Sequence, residues 1–370
     1  MYLKNIKLKN FRNYDELFLN LSPGINILYG DNAQGKTNIL ESIYFLALTK
    51  SHRSLNDLTL IKNNENFSLL STSCVVNENE TNLEISISDK GKKLKQDNNL
   101  VKIIGEYVSN LKVIIFFPED LDLIKSSPDI RRHYINTQIS QLDKNYFKIL
   151  SEYNKLLKIR NNLLKEYLKI NYIDNNYLDI ITNYIVEKSC YIYFYRNKYI
   201  KKINMYINNI FKDISGFDNF RIEYKNNFII NSFELNDLKE IIREKFNNIL
   251  EIEKKAGTTL VGPHRDDIEF YLNDKNLKQF GSQGQQRMAV LSLKLSEIEI
   301  FKKYNNDNPI LLLDDVFSEL DDKKKNALLK YISNDIQTII TTTELSNLDK
   351  TIINQAKLIH ISAGKVIEEE

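Results

Sequence analysis

Residues Gly30 to Thr37 read G-D-N-A-Q-G-K-T, a complete match to G-x-x-x-x-G-K-[ST]. The flanks suit the pattern. Ile25 to Tyr29 is a short, apolar, β-branched run, and Ile39, Leu40, Ile43, Tyr44 and Ala47 then recur at helical spacing up to Leu48. Strand, glycine-rich loop and helix in that order form an anion cradle. The glycines let successive N–H groups converge on phosphate oxygens, and the helix adds its positive N-terminal end. Gly30, Asp31, Asn32, Ala33, Gln34 and Gly35 supply the loop, Lys36 reaches the β- and γ-phosphates, and the Thr37 hydroxyl is placed for Mg²⁺. The bland alternative is a glycine turn joining a strand to a helix. The full pattern in its strand–helix setting favours nucleotide binding, with ATP and Mg²⁺ as ligands.

With 370 residues the chain exceeds what one hydrophobic core usually serves, so two lobes are expected. A net charge of +2 leaves any basic surface local. Cys74 and Cys190 are far apart in sequence and form no metal-binding or disulfide pattern. The charged, alternating start and the lack of a membrane-length apolar run lead to the expectation of a cytoplasmic protein without membrane association.

Along the chain, Tyr2 to Phe11 alternates as a strand, Arg12-Asn13-Tyr14 turns out of it, and Leu17 to Leu21 is a second strand. Phe67 to Val76 and Leu83 to Ser88 read as a strand pair followed by a polar loop, Asp89 to Asn99. Val113 to Phe117 is a buried strand that Pro118 ends. Helical patterns then dominate over Leu142 to Ile170, Asn183 to Phe211 and Phe233 to Glu253, with a strand expected at Phe220 to Lys225. Strand signals return at Ile268 to Leu272, Ile310 to Leu313, Thr338 to Thr342 and Leu358 to Ile361, with helices over Gly284 to Tyr304 and Asp322 to Ile332. The expected architecture is an α/β ATPase lobe, 1–126 and 256–370, split by an inserted helical lobe, 127–255.

The strand Ile310 to Leu313 runs into Asp314-Asp315. In phosphate-loop ATPases the first such carboxylate holds Mg²⁺ and a second can polarise the attacking water. Neighbouring strand residues point oppositely, which assigns the two carboxylates different roles, Asp315 being catalytic alongside Lys36. An acidic helix cap is the plainer reading. Ser282-Gln283-Gly284-Gln285 opens a helix and offers a second anion cradle. Lying between the phosphate loop and the paired acids, it follows the order of ABC-type ATPases, where this turn meets the γ-phosphate bound to the other subunit.

Taken together, Phe11-Arg12-Asn13-Tyr14, residues 30–37, Phe117-Pro118-Glu119-Asp120-Leu121, Arg131-Arg132, Gly262-Pro263-His264-Arg265-Asp266-Asp267, Ser282 to Arg287 and Leu313-Asp314-Asp315 span nearly the whole chain. In that order they resemble the RecF family of bacterial recombination mediators, relatives of the SMC (structural maintenance of chromosomes) ATPases. The resemblance implies an ABC/SMC-type ATPase head with a short helical arm, dimerisation with ATP and slow, DNA-dependent hydrolysis. It also implies action on single-stranded, gapped or double-stranded DNA, with RecR and RecO, in loading RecA. It places Arg12 and Asn13 beside the nucleotide. Asp315 where many ABC proteins carry Glu, the S-Q-G-Q turn, and Thr341-Thr342-Thr343 where a switch His is common are features of that family. A small-molecule kinase and an ABC transporter subunit are the rival classes. The former needs an acceptor site and the latter a coupling region.

For DNA, Lys188 to Lys212 holds six cations, Lys198, Lys201 and Lys202 among them, with interleaved tyrosines and no acidic residue. An amphipathic helix with a solvated lysine face gives the same pattern. Arg131 and Arg132 are a second candidate surface, with a helix-packing or interdomain salt-bridge role as the alternative. His264 and Arg265 either signal between lobes or build a turn.

Overall fold

The long apolar runs become a parallel sheet. The computed structural model describes residues 1–54, 56–108, 110–226, 235–305, 308–330 and 335–369, which divide into two units. The first comprises Met1–Leu121, Asn209–Phe217 and Arg287–Glu370. Its main sheet has the order Lys365–Glu369, Lys357–Ser362, Ile25–Tyr29, Thr338–Thr342, Ile310–Asp314, Val113–Phe116. Every neighbouring pair is parallel except the first, which is an antiparallel hairpin. Val113–Phe116, Ile310–Asp314 and Thr338–Thr342 are buried at every position, as strands covered on both faces must be. The register pairs Asp314 with Thr341 and Thr341 with Leu28, so the polar residues ending these strands meet at one edge. Loops leaving that carboxyl edge are where open α/β sheets bind ligands.

An antiparallel sheet forms the rest of this unit, in the order Tyr14–Asn20, Asn5–Phe11, Phe67–Val76, Asn79–Ser88, Gly91–Gln96, Asn99–Val101, with Tyr2–Leu3 also paired to Phe67–Val76. Helix Lys36–Leu48 packs against strands of both sheets. This explains why it is apolar on nearly all sides, a pattern that belongs to a fully enclosed helix. The segment expected to be a polar loop, 89–99, is instead strand Gly91–Gln96 after a turn at Gly91, where φ is 98°. Only Leu94 faces inward, opposite Ile85, and its lysine neighbours conceal the alternation.

The second unit comprises Asp122–Asn208 and Asp218–Gln286. It contains helices Pro128–Leu142 and Lys144–Ile170, most of Asn175–Ser215, and helix Leu235–Ala256. Phe233 and Ile332, where two helix boundaries were expected, lie outside the described residues. The expected lobe boundary at 255/256 is corrected to 286/287. Strand Asp267–Leu272 pairs along its whole length with Phe220–Lys225, which ties the later segment into this unit. Residues 209–217 group with the first unit. Buried ion pairs hold the helical unit: Arg160 meets Glu253 at 2.6 Å with both side chains inaccessible, and Arg131 meets Asp267 at 2.6 Å. No helix among the described residues is long and apolar enough to cross a membrane.

Candidate nucleotide site

The phosphate loop leaves strand Ile25–Tyr29 at Gly30 and enters helix Lys36–Leu48 at Gly35, with φ of 141° and 111° at the two glycines. Neither position has room for a side chain. A Cβ on Gly30 would lie 2.3 Å from the Ile361 carbonyl oxygen, and one on Gly35 would lie 2.6 Å from Tyr14 Oη. Lys36 is buried, and its Nζ donates to the carbonyls of Gly30 and Asp31 at 2.6 Å each, across its own loop. Burial lowers the Lys36 pKa, opposed by Asp315, Asp314 and Asp31.

At the adjacent strand end, Thr37 Oγ1 donates to Asp314 Oδ1 at 2.9 Å and Thr341 Oγ1 donates to the same oxygen at 2.7 Å. Burial raises the Asp314 carboxyl above its ordinary range, with the two threonine bonds opposing. Asp315 has already left the strand, with φ 50°, and its N–H donates to Thr341 Oγ1. The two carboxylates are therefore separated by a left-handed turn, not by strand alternation as the sequence suggested. Asp315 Oδ1 is buried without a hydrogen-bond partner among the described residues. An open cleft lies against both carboxylates, bounded also by Phe117, Pro118, Arg287 and Val290.

Thr37 and Asp314 offer two hard oxygens at the mouth of the loop, the donor type Mg²⁺ requires. No group of three or more His, Cys, Asp or Glu side chains able to hold a metal occurs among the described residues. That fits a cation whose remaining ligands are phosphate oxygens and water.

Asn13 and Arg12 border the loop differently. Asn13 Nδ2 donates to the Gln34 carbonyl at 3.4 Å and Asn13 Oδ1 accepts from Asn38. The Arg12 guanidinium is committed to Glu41, a wholly buried carboxylate on the loop's own helix, through bonds of 2.9 and 2.7 Å. Ser51 also donates to Glu41, and Arg53 stands 3.7 Å away. Burial would raise the Glu41 pKa, but the bonds from Arg12 and Ser51 hold it below the usual range. Nothing at sequence level pointed to Glu41, because its partners lie in separate hairpins and loops. The same holds for Lys294, buried, which donates to the Ile115 carbonyl at 2.8 Å and pairs with Asp120 at 2.8 Å.

In the second unit, the Ser282 turn closes as a capping box. Ser282 Oγ accepts from Gln285 N–H at 3.3 Å, and Gln285 Oε1 accepts from Ser282 N–H at 2.9 Å. Gln286, buried, anchors the turn through the Leu277 and Gly281 carbonyls. Gln283 and Gly284 start helix Gln283–Asn305 and are exposed.

The basic segment is smaller than its sequence suggested. Arg196 is buried and bonded to the Pro263 carbonyl, Tyr224 and Asn136, and Lys188 pairs with Glu152 and Glu187. Lys198 and Lys201 remain exposed and Lys202 half-buried, with exposed Phe194 and Met205 on the same helix face. Arg131 leaves the candidate DNA surface altogether. It is 5% exposed, with Nε and a terminal nitrogen on the two oxygens of Asp267. Arg132 is bound to the Asp266 carbonyl and to Asp129. His264 and Arg265 both address the Thr259 carbonyl, so they build the turn after Gly262-Pro263.

The model of the RecF/RecN/SMC N terminal domain matches residues 2–365. The DNA replication and repair protein RecF of Ligilactobacillus salivarius (strain UCC118) is 40% identical over 371 aligned residues, covering 100% of this chain and 98% of the relative. RecF of Bacillus cereus (strain B4264) is 39% identical over 368, covering 99% and 98%. Among solved structures, the recombination mediator protein RecF with ATP, of the RecFOR pathway, superposes with a TM-score of 0.92 at 34% identity, over 100% of this chain and 97% of that one. The Smc head domain from Pyrococcus furiosus shares the fold, with a TM-score of 0.54 at 18% identity over 99% and 96%.

Proposed function

The chain belongs to the RecF family of RecF/RecN/SMC proteins, and from that premise we propose that it is an ATP-dependent DNA-binding switch of replication and recombinational gap repair. It dimerises on ATP, hydrolyses it slowly under stimulation by DNA, and with RecO and RecR promotes RecA loading. The observation that carries the reading is the meeting of Lys36, Thr37 and Asp314 at one strand edge. These three chemistries, a buried ammonium and two hard oxygens, are what a Mg²⁺-bound triphosphate needs.

The residues divide the work. Backbone N–H groups of residues 30–37 and the Lys36 ammonium hold the phosphates, Thr37 and Asp314 hold Mg²⁺, and Asp315 orients the attacking water and takes its proton. When bound, Mg²⁺ offsets phosphate charge and polarises the γ-phosphoryl group. Ser282 to Gln285 complete the site of a second copy, so two chains enclose two nucleotides in a reciprocal interface. Exposed Lys198 and Lys201, with half-buried Lys202 beside them, meet DNA phosphates.

The test is molecular mass by light scattering with ATP and Mg²⁺, with and without gapped DNA. A monomer that becomes a dimer with ATP, and more completely with DNA, is expected. A chain that stays monomeric under all conditions, or turns over ATP equally fast without DNA, removes the reading.

A further inference from the structure

The end of the chain grips the phosphate loop. Strand Lys357–Ser362 runs parallel to Ile25–Tyr29, and Lys365–Glu369 folds back upon it. The two residues between them, Ala363 and Gly364, both take left-handed backbone, φ 48° and 70°, as a tight two-residue hairpin turn demands. Their N–H groups are both accepted by one residue of the loop. Ala363 donates to Gln34 Oε1 at 2.5 Å and Gly364 donates to the Gln34 carbonyl at 3.1 Å. At the loop's other end the Ile361 carbonyl closes on Gly30, and the His360 ring stacks on Tyr29 with centroids 4.9 Å apart and planes 9° from parallel. The hairpin is anchored independently, because Lys357 pairs with Glu369 at 2.7 Å and donates to the Asn20 carbonyl at 3.0 Å.

We propose that this C-terminal hairpin is a clamp acting within the same chain, in which Ala363 and Gly364 are positioning residues. Through Gln34 they hold the phosphate loop in its anion-accepting shape before nucleotide arrives. The loop contains three positive-φ residues, Gly30, Ala33 and Gly35, and such a backbone drifts to easier conformations unless its surroundings fix it. Apparent affinity scales with the fraction of molecules whose loop is competent. A loop released from the clamp for nine-tenths of the time binds about tenfold more weakly. The inference rests on residues 30–37 being the ATP site.

Three substitutions separate the cases. Gly364→Val cannot hold φ near 70°, whereas Gly364→Asn can, since Asn tolerates the left-handed region. Gln34→Leu removes one acceptor and leaves the backbone intact. Calorimetric affinity for ATP with Mg²⁺, steady-state KM and kcat, and melting without nucleotide are measured in the full chain. Gly364→Val and Gln34→Leu are expected to weaken ATP about tenfold. In Gly364→Val the KM should rise in step while kcat stays close to the parent value, and Gly364→Asn, whose Cβ would lie 3.2 Å from the movable Asn13 amide, should lose less affinity than Gly364→Val. Should Gly364→Val fail to fold, Gln34→Leu with a parental melting temperature carries the test. Parental ATP affinity in Gln34→Leu and in every folded Gly364 variant, alongside its loss in Lys36→Met, overturns the clamp. Parental affinity in Lys36→Met overturns the assignment of residues 30–37 instead.

Discussion

Thr37 Oγ1 donates to Asp314 Oδ1 at 2.9 Å across 277 positions of sequence, and that bond joins the phosphate loop to the strand bearing the paired acids. The same Asp314 oxygen accepts from Thr341, whereas Asp315, turned out of the strand, keeps a buried oxygen without a partner among the described residues. In the proposed mechanism Asp314 shares a cation with Thr37, and Asp315 receives a proton. Asp314→Ala should abolish the Mg²⁺ dependence of ATP binding. Asp315→Asn should keep ATP affinity and slow hydrolysis by about a hundredfold or more, accumulating the ATP-bound dimer. Equal loss of ATP binding in both, measured by calorimetry with and without Mg²⁺, removes this division of roles.

His264 contributes to acid stability, as does His52, whose pKa burial likewise lowers to about 4. The Nε2 of His264 lies 3.2 Å from the Thr259 carbonyl, an acceptor only, so Nε2 carries the proton and Nδ1 accepts from Tyr153 Oη at 2.6 Å. Burial, with Arg265, Arg132 and Arg196 nearby, lowers its pKa to about 4. The unfolded chain, with a histidine pKa near 6.5, therefore binds this proton first as pH falls. The resulting stability is complete above about pH 6.5 and is lost progressively down to about pH 4, amounting to roughly 3 kcal/mol. His264→Gln should flatten the pH dependence of denaturant unfolding across that window by up to one proton. A slope equal to the parent's means His264 is not held neutral.

The proposed DNA surface and the structural arginine separate by salt. Replacing Lys198, Lys201 and Lys202 with Glu should weaken DNA binding irrespective of sequence. The slope of log affinity against log salt should fall by up to about 3, at roughly 0.9 for each phosphate contact. Arg131→Ala should leave that slope unchanged in the folded protein but lose about 3 kcal/mol of stability, because Asp267 is left as a charge without its partner. A parental slope in the triple variant moves the DNA contact elsewhere.

Sequence made the candidate nucleotide site legible because its parts are local. A glycine loop between a strand and a helix, and two acids after an apolar run, each occupy a few consecutive residues. The strands Val113–Phe116, Ile310–Asp314 and Thr338–Thr342 were legible through continuous apolarity. Gly91–Gln96 and Lys365–Glu369 were not, since charged side chains on thinly covered strands break the alternation that would reveal them. The lobe boundary was misplaced because strand Phe220–Lys225 chooses its partner across a helix and a long connection. Arg131 looked like a surface cation because the carboxylate that neutralises it, Asp267, lies 136 positions away.

Ser282 tests the reciprocal site, and its capping box decides how. The hydroxyl already accepts from Gln285 N–H, which leaves its proton free to be donated to a phosphate oxygen on a second chain. Ser282→Arg removes the cap, a loss of about 1 kcal/mol, and also puts a bulky cation where a small donor must approach. Gln285→Ala breaks the other half of the same box while sparing the hydroxyl, and so controls for the helix terminus. Single chains of Ser282→Arg should bind ATP as the parent does and fail to dimerise, whereas Gln285→Ala should dimerise with modestly reduced affinity. Mixing Ser282→Arg with Lys36→Met chains gives heterodimers with one doubly damaged site and one intact, so part of the ATP-dependent association should return in light scattering. Loss of ATP affinity in the Ser282→Arg monomer itself would place the turn beside its own phosphate loop, and the two-chain site would have to be abandoned.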